Sequence, residues 1–378
     1  MNMMKTIRLM SLAIIIGLTL IPSALQLSHV TKDQPGASLD ENRALEGWPK
    51  WADVDNNVAA YTAGISGFLN DNFGGRTLAI RVRSKLFRMV GDTSILVVGG
   101  RTDGWYFLNE ITMWQSYNGR LSFTDQDVDI WLQSVAGLQS AAQAQGSVFA
   151  AIIPPDKARI YPENVPAKFK QPSKRRFASA LMNDPRSTEL GFIDVEPAIL
   201  RVKAEGLVYS RTDTHWTGRG AYEAYALVME RFNKGGARFP TIKRADTEAA
   251  ARDDVDGDLV ALMGLQGQIT ESYMDVTSPK LTANFSVKVL EDPAVVHAGW
   301  QTRIYENDVD NGTTLVIVGD SFSNALLPFF KHSFDRIVVM HHRTGNFDLE
   351  QAISYNPDAV LFAPVERMAV TLRDFAKP

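Results

Sequence analysis

A serine hydroxyl is a weak nucleophile near its free pKa, so it needs an imidazole to take its proton and a carboxylate to fix the imidazole tautomer. The sequence holds these three side chains in two blocks, Gly319-Asp320-Ser321-Phe322-Ser323-Asn324 and Ser210-Arg211-Thr212-Asp213-Thr214-His215-Trp216-Thr217. Asp and Ser are also ordinary helix caps, and Gly-Asp-Ser alone does not identify a nucleophile. Coupled with an Asp-x-His segment it reads as Ser321 nucleophile, His215 base and Asp213 orienter. Residues two apart in an extended segment share a side, which sets the carboxylate beside the ring. A metal hydrolase on Asp213, His215 and the His341-His342 pair is a poorer reading, because adjacent histidines on a strand point to opposite faces. No metal is expected, and His29, His297 and His332 have no identifiable partners.

The surrounding pattern is that of a sheet with helices between its strands. Short apolar runs recur at Ser147 to Pro155, Gly206 to Ser210, Thr313 to Gly319, Arg336 to His341 and Ala359 to Pro364, which implies an α/β fold with a mostly parallel central sheet. In such sheets ligands gather at the carboxyl ends of the strands. Ser321 follows one of these runs and enters an apolar helix from Ala325 to Phe330, whose first N–H groups can receive a developing oxyanion. The Asp-x-His block follows another, and Thr217 is placed to cap a helix from Gly218 to Phe232. Asp127 to Gln145 reads as an amphipathic helix stopped by Gly146, and Ile95 to Leu108 as a hairpin-like segment turning at Asp103-Gly104.

These residues carry a resemblance. Gly-Asp-Ser with Asp-x-His is similar to the SGNH-hydrolase superfamily, but here the Asp-x-His precedes the serine. That order, with Arg211-Thr212-Asp213-Thr214-His215-Trp216, resembles the alginate O-acetyltransferase J and X family, permuted SGNH-like enzymes. Gly104-Trp105-Tyr106-Phe107, Ile153-Pro154-Pro155-Asp156-Lys157, Tyr161-Pro162, Gly257-Asp258-Leu259 and Glu366-Arg367 are similar to further signatures, over about residues 60 to 370. The resemblance implies an SGNH-hydrolase-like three-layer fold, Ser321 as the acetyl-accepting nucleophile, and exopolysaccharide hydroxyls as acceptors. It also implies a membrane-bound O-acyltransferase as acetyl donor, alongside other exopolysaccharide-assembly proteins. The chain ends about a dozen residues after Glu366-Arg367, an architecture nearer the J-type than the X-type, which has an added carbohydrate-binding module. The glycine and asparagine blocks that complete the oxyanion hole of SGNH hydrolases have no match by motif. Arg343 and Asn346 are substrate-side candidates by position. Lys157 could meet an acidic sugar or cap a carbonyl, and Trp105, Trp114 and Trp216 offer faces to sugar rings.

Composition bounds the alternatives. The 378 residues carry 43 acidic and 39 basic side chains, a formal charge of −4, with no field for nucleic acid. Zero cysteines exclude thiolate nucleophiles, disulfides and Cys-ligated metal. No nucleotide or coenzyme motif appears, and no cofactor is expected. Lys5 and Arg8 precede an uncharged run, Leu9 to Leu27, long enough to cross a bilayer as a helix. Charge placement sends the body into the periplasm, with residues 1–30 a signal peptide or an anchor through residues 9–27. Residues 31–93 read as a helical lead-in packing on the core, and 94–378 as the acetyltransferase domain. Within it, about 240–310 reads as an insertion covering the site, its Asp253, Asp254, Asp256 and Asp258 a solvated acidic turn that fails the calcium-loop pattern. Two other functions fit the same residues: a carbohydrate esterase using the same triad, and a non-catalytic polysaccharide-binding subunit.

Overall fold

The computed structural model describes residues 46–51, 57–72, 76–89, 96–169, 172–279, 285–291, 300–307, 309, 311–342, 349–369 and 372. The apolar run from Leu9 to Leu27, expected as a signal or anchor, lies outside them. Among the described residues no helix is long and apolar enough to cross a membrane. The chain divides into two units, residues 1–94 with 261–266, and residues 95–260 with 267–378. The first contains helices Val58–Asn72 and Arg76–Met89. Asn57 Oδ1 accepts the amides of Ala59 and Ala60 at 2.9 and 3.2 Å, capping the former helix.

The second unit opens with the expected hairpin, β1 (Val97–Gly99) antiparallel to β2 (Tyr106–Leu108). Among the described residues its main sheet has seven strands. In chain order these are β3 (Val148–Ile152), β4 (Phe192–Ile193), β7 (Phe285–Leu290), β8 (Thr302–Asn307), β9 (Thr314–Gly319), β10 (Arg336–His341) and β11 (Ala359–Ala363). Their spatial order is β4-β3-β11-β9-β10-β8-β7. The neighbours from β4 to β10 run parallel, while β8 and β7 extend the sheet antiparallel. A separate antiparallel ribbon pairs β5 (Glu248–Val255) with β6 (Glu271–Thr277).

Alternation along the buried strands sends side chains to two faces, and each face is covered. On one, Leu315 and Ile317 of β9 share a core with Ala221, Tyr225, Val228 and Phe232. Those four belong to helix Gly218–Lys234, whose apolar residues recur at three and four. On the other face, Val316 and Val318 pack with Trp131, Leu132, Val135 and Leu138 of helix Asp125–Ala144. Thr124 opens that helix with a capping box to Asp127. Three layers result, with β9 at the centre of the sheet.

Three expectations need correction. Gly206 to Ser210 is not a strand of the sheet; it makes an isolated bridge from Tyr209 to Trp216. Its backbone is satisfied elsewhere, with Tyr161 Oη accepting the Val208 amide at 3.0 Å and the Thr217 amide donating to the Val208 carbonyl at 3.0 Å. Second, the 240–310 stretch is more than a cover, because it supplies β7 and β8 to the main sheet as well as the ribbon. Third, Thr217 does not cap with its side chain, which donates to the Leu207 carbonyl at 2.8 Å. Asp275 of β6 does so, accepting the amides of Gly218 and Arg219 at 3.1 and 3.0 Å.

Candidate active site

Ser321 begins a 3₁₀ turn, Ser321–Ala325, at the carboxyl end of β9 and ahead of helix Leu327–Phe330. The residue before it anchors the turn. Asp320 Oδ1 accepts the Phe322 amide at 3.0 Å, and Oδ2 accepts the Val365 amide at 2.7 Å and His342 Nε2 at 3.2 Å. Burial alone would raise this carboxyl, but the bond to His342 and its charge, the Val365 amide and Arg367 outweigh burial and hold it at about 2. The Ser323 amide closes the turn on the Asp320 carbonyl at 3.0 Å. The Ser321 amide is used by no hydrogen bond among the described residues, which leaves a donor beside the hydroxyl.

The segment 211–215 is a run of bends held from three sides. Glu271 of β6 accepts the Arg211 amide at 3.0 Å, the Thr212 amide at 2.9 Å, the Thr212 hydroxyl at 2.6 Å and the Ser210 hydroxyl. These donors outweigh burial and lower the pKa of Glu271. Lys157 donates from below to the carbonyls of Arg211 and Asp213 at 2.9 and 2.8 Å. Burial lowers its pKa to about 7 against the opposing charges of Asp213, Asp258 and Glu271. Asp258 closes the third side. It accepts the Thr214 amide at 2.7 Å and the Thr214 hydroxyl, while its own amide donates to Asp213 Oδ2 at 3.1 Å.

In this frame Asp213 Oδ1 receives both the His215 amide, at 2.8 Å, and His215 Nδ1, at 2.6 Å. His215 Nε2 then stands 2.7 Å from Ser321 Oγ. Trp216 Nε1 donates to the Phe322 carbonyl at 3.0 Å, tying the histidine segment to the serine turn. Hydroxyl, imidazole and carboxylate form one hydrogen-bonded series, from residues 106 apart in the chain. Burial disfavours the imidazolium, but Asp213, by charge and hydrogen bond, and then Asp258 reverse this and raise His215 to about 9. The histidine charge and hydrogen bonds hold Asp213 well below the usual carboxylate range despite burial. Asp258, buried beside the Asp213 charge, is pushed up to about 6. Such a series can activate an alcohol for attack on an acyl carbonyl and return its proton to a leaving group.

The structure places the other candidates differently. Lys157 caps two carbonyls beneath the Asp213 segment and does not face an incoming sugar. Trp216 is only 4% exposed and offers its indole N–H to the protein, not a stacking face. Trp105 and Trp114 are buried, the latter stacked on Phe169 at 3.6 Å. Arg343 and Asn346 lie outside the described residues. Asp258 is not part of a solvated turn, since its carboxylate is folded onto the site. Its importance was legible only in the Gly257-Asp258-Leu259 signature; the acidic run before it masked the signal. The clamping role of Glu271 had no sequence signal.

Asp213, His215 and Asp258 also offer ligand atoms within 4.8 Å of one another. A cation there would have to take Nδ1 from its bond to Asp213. His342 is engaged with Asp320 and His341 stacks on Trp300 at 5.3 Å, and neither adds to the set.

The model of an SGNH hydrolase-like domain, acetyltransferase AlgX, matches residues 97–356. Among curated proteins, a probable alginate O-acetylase AlgJ of Pseudomonas syringae pathovar tomato is 26% identical over 227 residues, covering 58% of this chain and 51% of that protein. A probable alginate O-acetylase AlgJ of Pseudomonas putida is 28% identical over 138 residues, 35% of each chain. The chain thus spans about half or less of the length of these relatives. Among solved structures, Bacillus cereus PatB1 with a sulfonyl adduct superposes with a TM-score of 0.53 at 17% identity, covering 72% of this chain and 97% of that one. This last likeness is one of fold.

Proposed function

The chain belongs to the family of SGNH hydrolase-like acetyltransferases that includes AlgX, and from that premise we propose that it is an O-acetyltransferase acting on an alginate-like exopolysaccharide through acetyl-Ser321. The observation that carries the reading is the 2.7 Å contact of Ser321 Oγ with His215 Nε2, whose ring is held from behind by Asp213 at 2.6 Å.

In the first half-reaction His215 Nε2 takes the Ser321 proton as Oγ bonds to the acetyl carbonyl carbon. The bond from that carbon to the donor's leaving atom then breaks, and the leaving atom departs with the proton from His215. In the second, a sugar hydroxyl attacks the acetyl-serine, His215 takes its proton, and Ser321 Oγ leaves with that proton. Asp213 orients and charge-stabilises the imidazolium throughout. The donor is an acetyl group passed by a membrane-bound O-acyltransferase, and the setting is the periplasm; the apolar Leu9 to Leu27 run supports export. The test is mass spectrometry of Ser321 after exposure to an activated acetyl ester. An acetyl adduct on Ser321, absent in Ser321→Ala, is expected; turnover retained by Ser321→Ala would overturn the assignment.

One observation favours a second reading, hydrolysis. The His215 and Asp213 side chains are 23% and 26% exposed, so water can approach the acyl-enzyme. Supplying an oligosaccharide acceptor decides between them, because a transferase moves acetyl to the sugar and an esterase releases acetate at an unchanged rate.

A further inference from the structure

The arginines that border the site differ in how their charge is met. Arg211 pairs with Glu271 at 3.2 Å, and Arg367 with Asp156 at 2.6 Å. Arg303, near the start of β8, pairs with no carboxylate among the described residues. Among the described residues its side chain makes one hydrogen bond, Nη2 donating to Asn324 Oδ1 at 2.9 Å, and its Nε is buried without a partner there. Nη1 has no partner among the described residues and, unlike Nε, is not buried, so it is the donor a group from outside the chain can meet.

The placement of this cation is informative. Because β8 runs antiparallel to β10, its first residues lie at the carboxyl edge of the parallel strands, where Ser321 emerges. Asn324 belongs to the 3₁₀ turn that begins at Ser321. Side chains three apart on such a turn eclipse, which puts Asn324 on the Ser321 face at roughly 6 Å along the axis. Ser321 is part-exposed and Asn324 exposed. The guanidinium is thus held by the same turn that carries the nucleophile. At the same edge, His341 pairs in register with Gly319, and its ring stacks on Trp300 at 5.3 Å with 26° between planes. Both rings are part-exposed, a wall of the kind that lies against a pyranose.

Resting on the acetyltransferase reading above, we infer that Arg303, held by Asn324 and flanked by the Trp300–His341 wall, binds a carboxylate of the acceptor and selects an acidic polysaccharide. With Nε buried and one Nη2 hydrogen committed to Asn324, Nη1 and the other Nη2 hydrogen form the edge of the fork left for a carboxylate, a planar geometry that an ammonium would not supply. The uronate carboxyl then fixes which neighbouring hydroxyl reaches acetyl-Ser321.

The experiment measures binding, without chemistry, of a short oligouronate and its carboxyl-reduced neutral counterpart to the full chain by calorimetry. The wild type is expected to prefer the acidic form. Arg303→Met is expected to shrink that preference about 10- to 100-fold, with Arg303→Lys keeping part of it. Raising salt should weaken binding of the acidic form and spare the neutral one, a readout that needs no variant. No preference in the wild type, equal salt response of the two ligands, or equal weakening of both in Arg303→Met would overturn the inference; a residue that only braces Asn324 gives the last result. Because the readout is binding, discrimination without an acetyl adduct on Ser321 would sink the transferase reading and support the subsite.

Discussion

Asp258 Oδ2 stands 3.6 Å from His215 Nδ1, the nitrogen that Asp213 already holds at 2.6 Å, so one imidazole answers to two carboxylates. Both charges favour the imidazolium and contribute to a His215 pKa of about 9. A base must be neutral to act, and the rate of acyl transfer should therefore rise with pH on a limb lying above the free histidine value of 6.5. Asp258→Asn removes one of the two negative charges. The limb should move to lower pH by about one pH unit. Initial rates on an activated ester across pH test this, and a limb that stays put or moves up contradicts the electrostatic role.

Gly257 lies against the backbone of the triad loop. A Cβ there would come within 2.5 Å of the Thr212 carbonyl oxygen and of Asp213 Cβ. Gly257→Ala must push the loop away, at a cost of about 1–3 kcal/mol in stability. Displacing Asp213 and His215 by a fraction of an ångström to an ångström should lower kcat by about 10- to 100-fold. Kinetics with a thermal melt check both parts, and a variant with unchanged kcat would show that the close approach is not needed.

Lys157 Nζ is buried over the rings of Trp105 and Phe107, at 5.6 and 5.2 Å from their centroids, and reaches the two loop carbonyls. Lys157→Met leaves those carbonyls without a donor. Stability should fall by about 2–4 kcal/mol, and kcat should fall more than KM changes, because the loop positions the base and not the sugar. A raised KM at constant kcat would instead point to direct substrate contact.

Asp320 makes a prediction about acid. Its pKa in the folded chain is about 2 against 3.8 for the free group, so its charge favours the folded state. The sign follows: the contribution, about 2 kcal/mol, is complete above pH 4 and is lost as pH falls towards 2. The stability gap between wild type and Asp320→Ala in urea should narrow over that window. A constant gap would mean that the carboxylate acts by packing alone.

The strands β3, β9, β10 and β11 were legible because parallel strands buried on both faces read as unbroken apolar runs. So was the Ser321, His215 and Asp213 series, since the strand-end serine turn and the Asp-x-His block each suggested a role that required the other. What could not be read were contacts that depend on where a distant segment lands. Glu271 looks like any surface glutamate, yet it orders five donors of the loop. Asp258 sits after three acidic residues and takes on their solvated character when only its neighbours are considered. Strands β7 and β8 escaped because they join an antiparallel flank that is largely exposed, and so lack the unbroken apolar run of the buried centre. Gly206 to Ser210 misled for the opposite reason, an apolar run whose backbone bonds go to a tyrosine hydroxyl and a loop.

The ribbon from β5 to β6 gives the segment that carries Asp213 and His215 an unusual dependency. Glu271 and Asp275 come from one of its strands and Asp258 from the connection between them, so the His215–Asp213 pair has its foundations in a stretch that resembles a dispensable appendage. Recombining this chain with a homologue, or trimming it for expression, would have to inherit residues 210–219 and 257–275 as one cassette. Splitting that cassette should yield proteins that keep the central sheet and lose turnover.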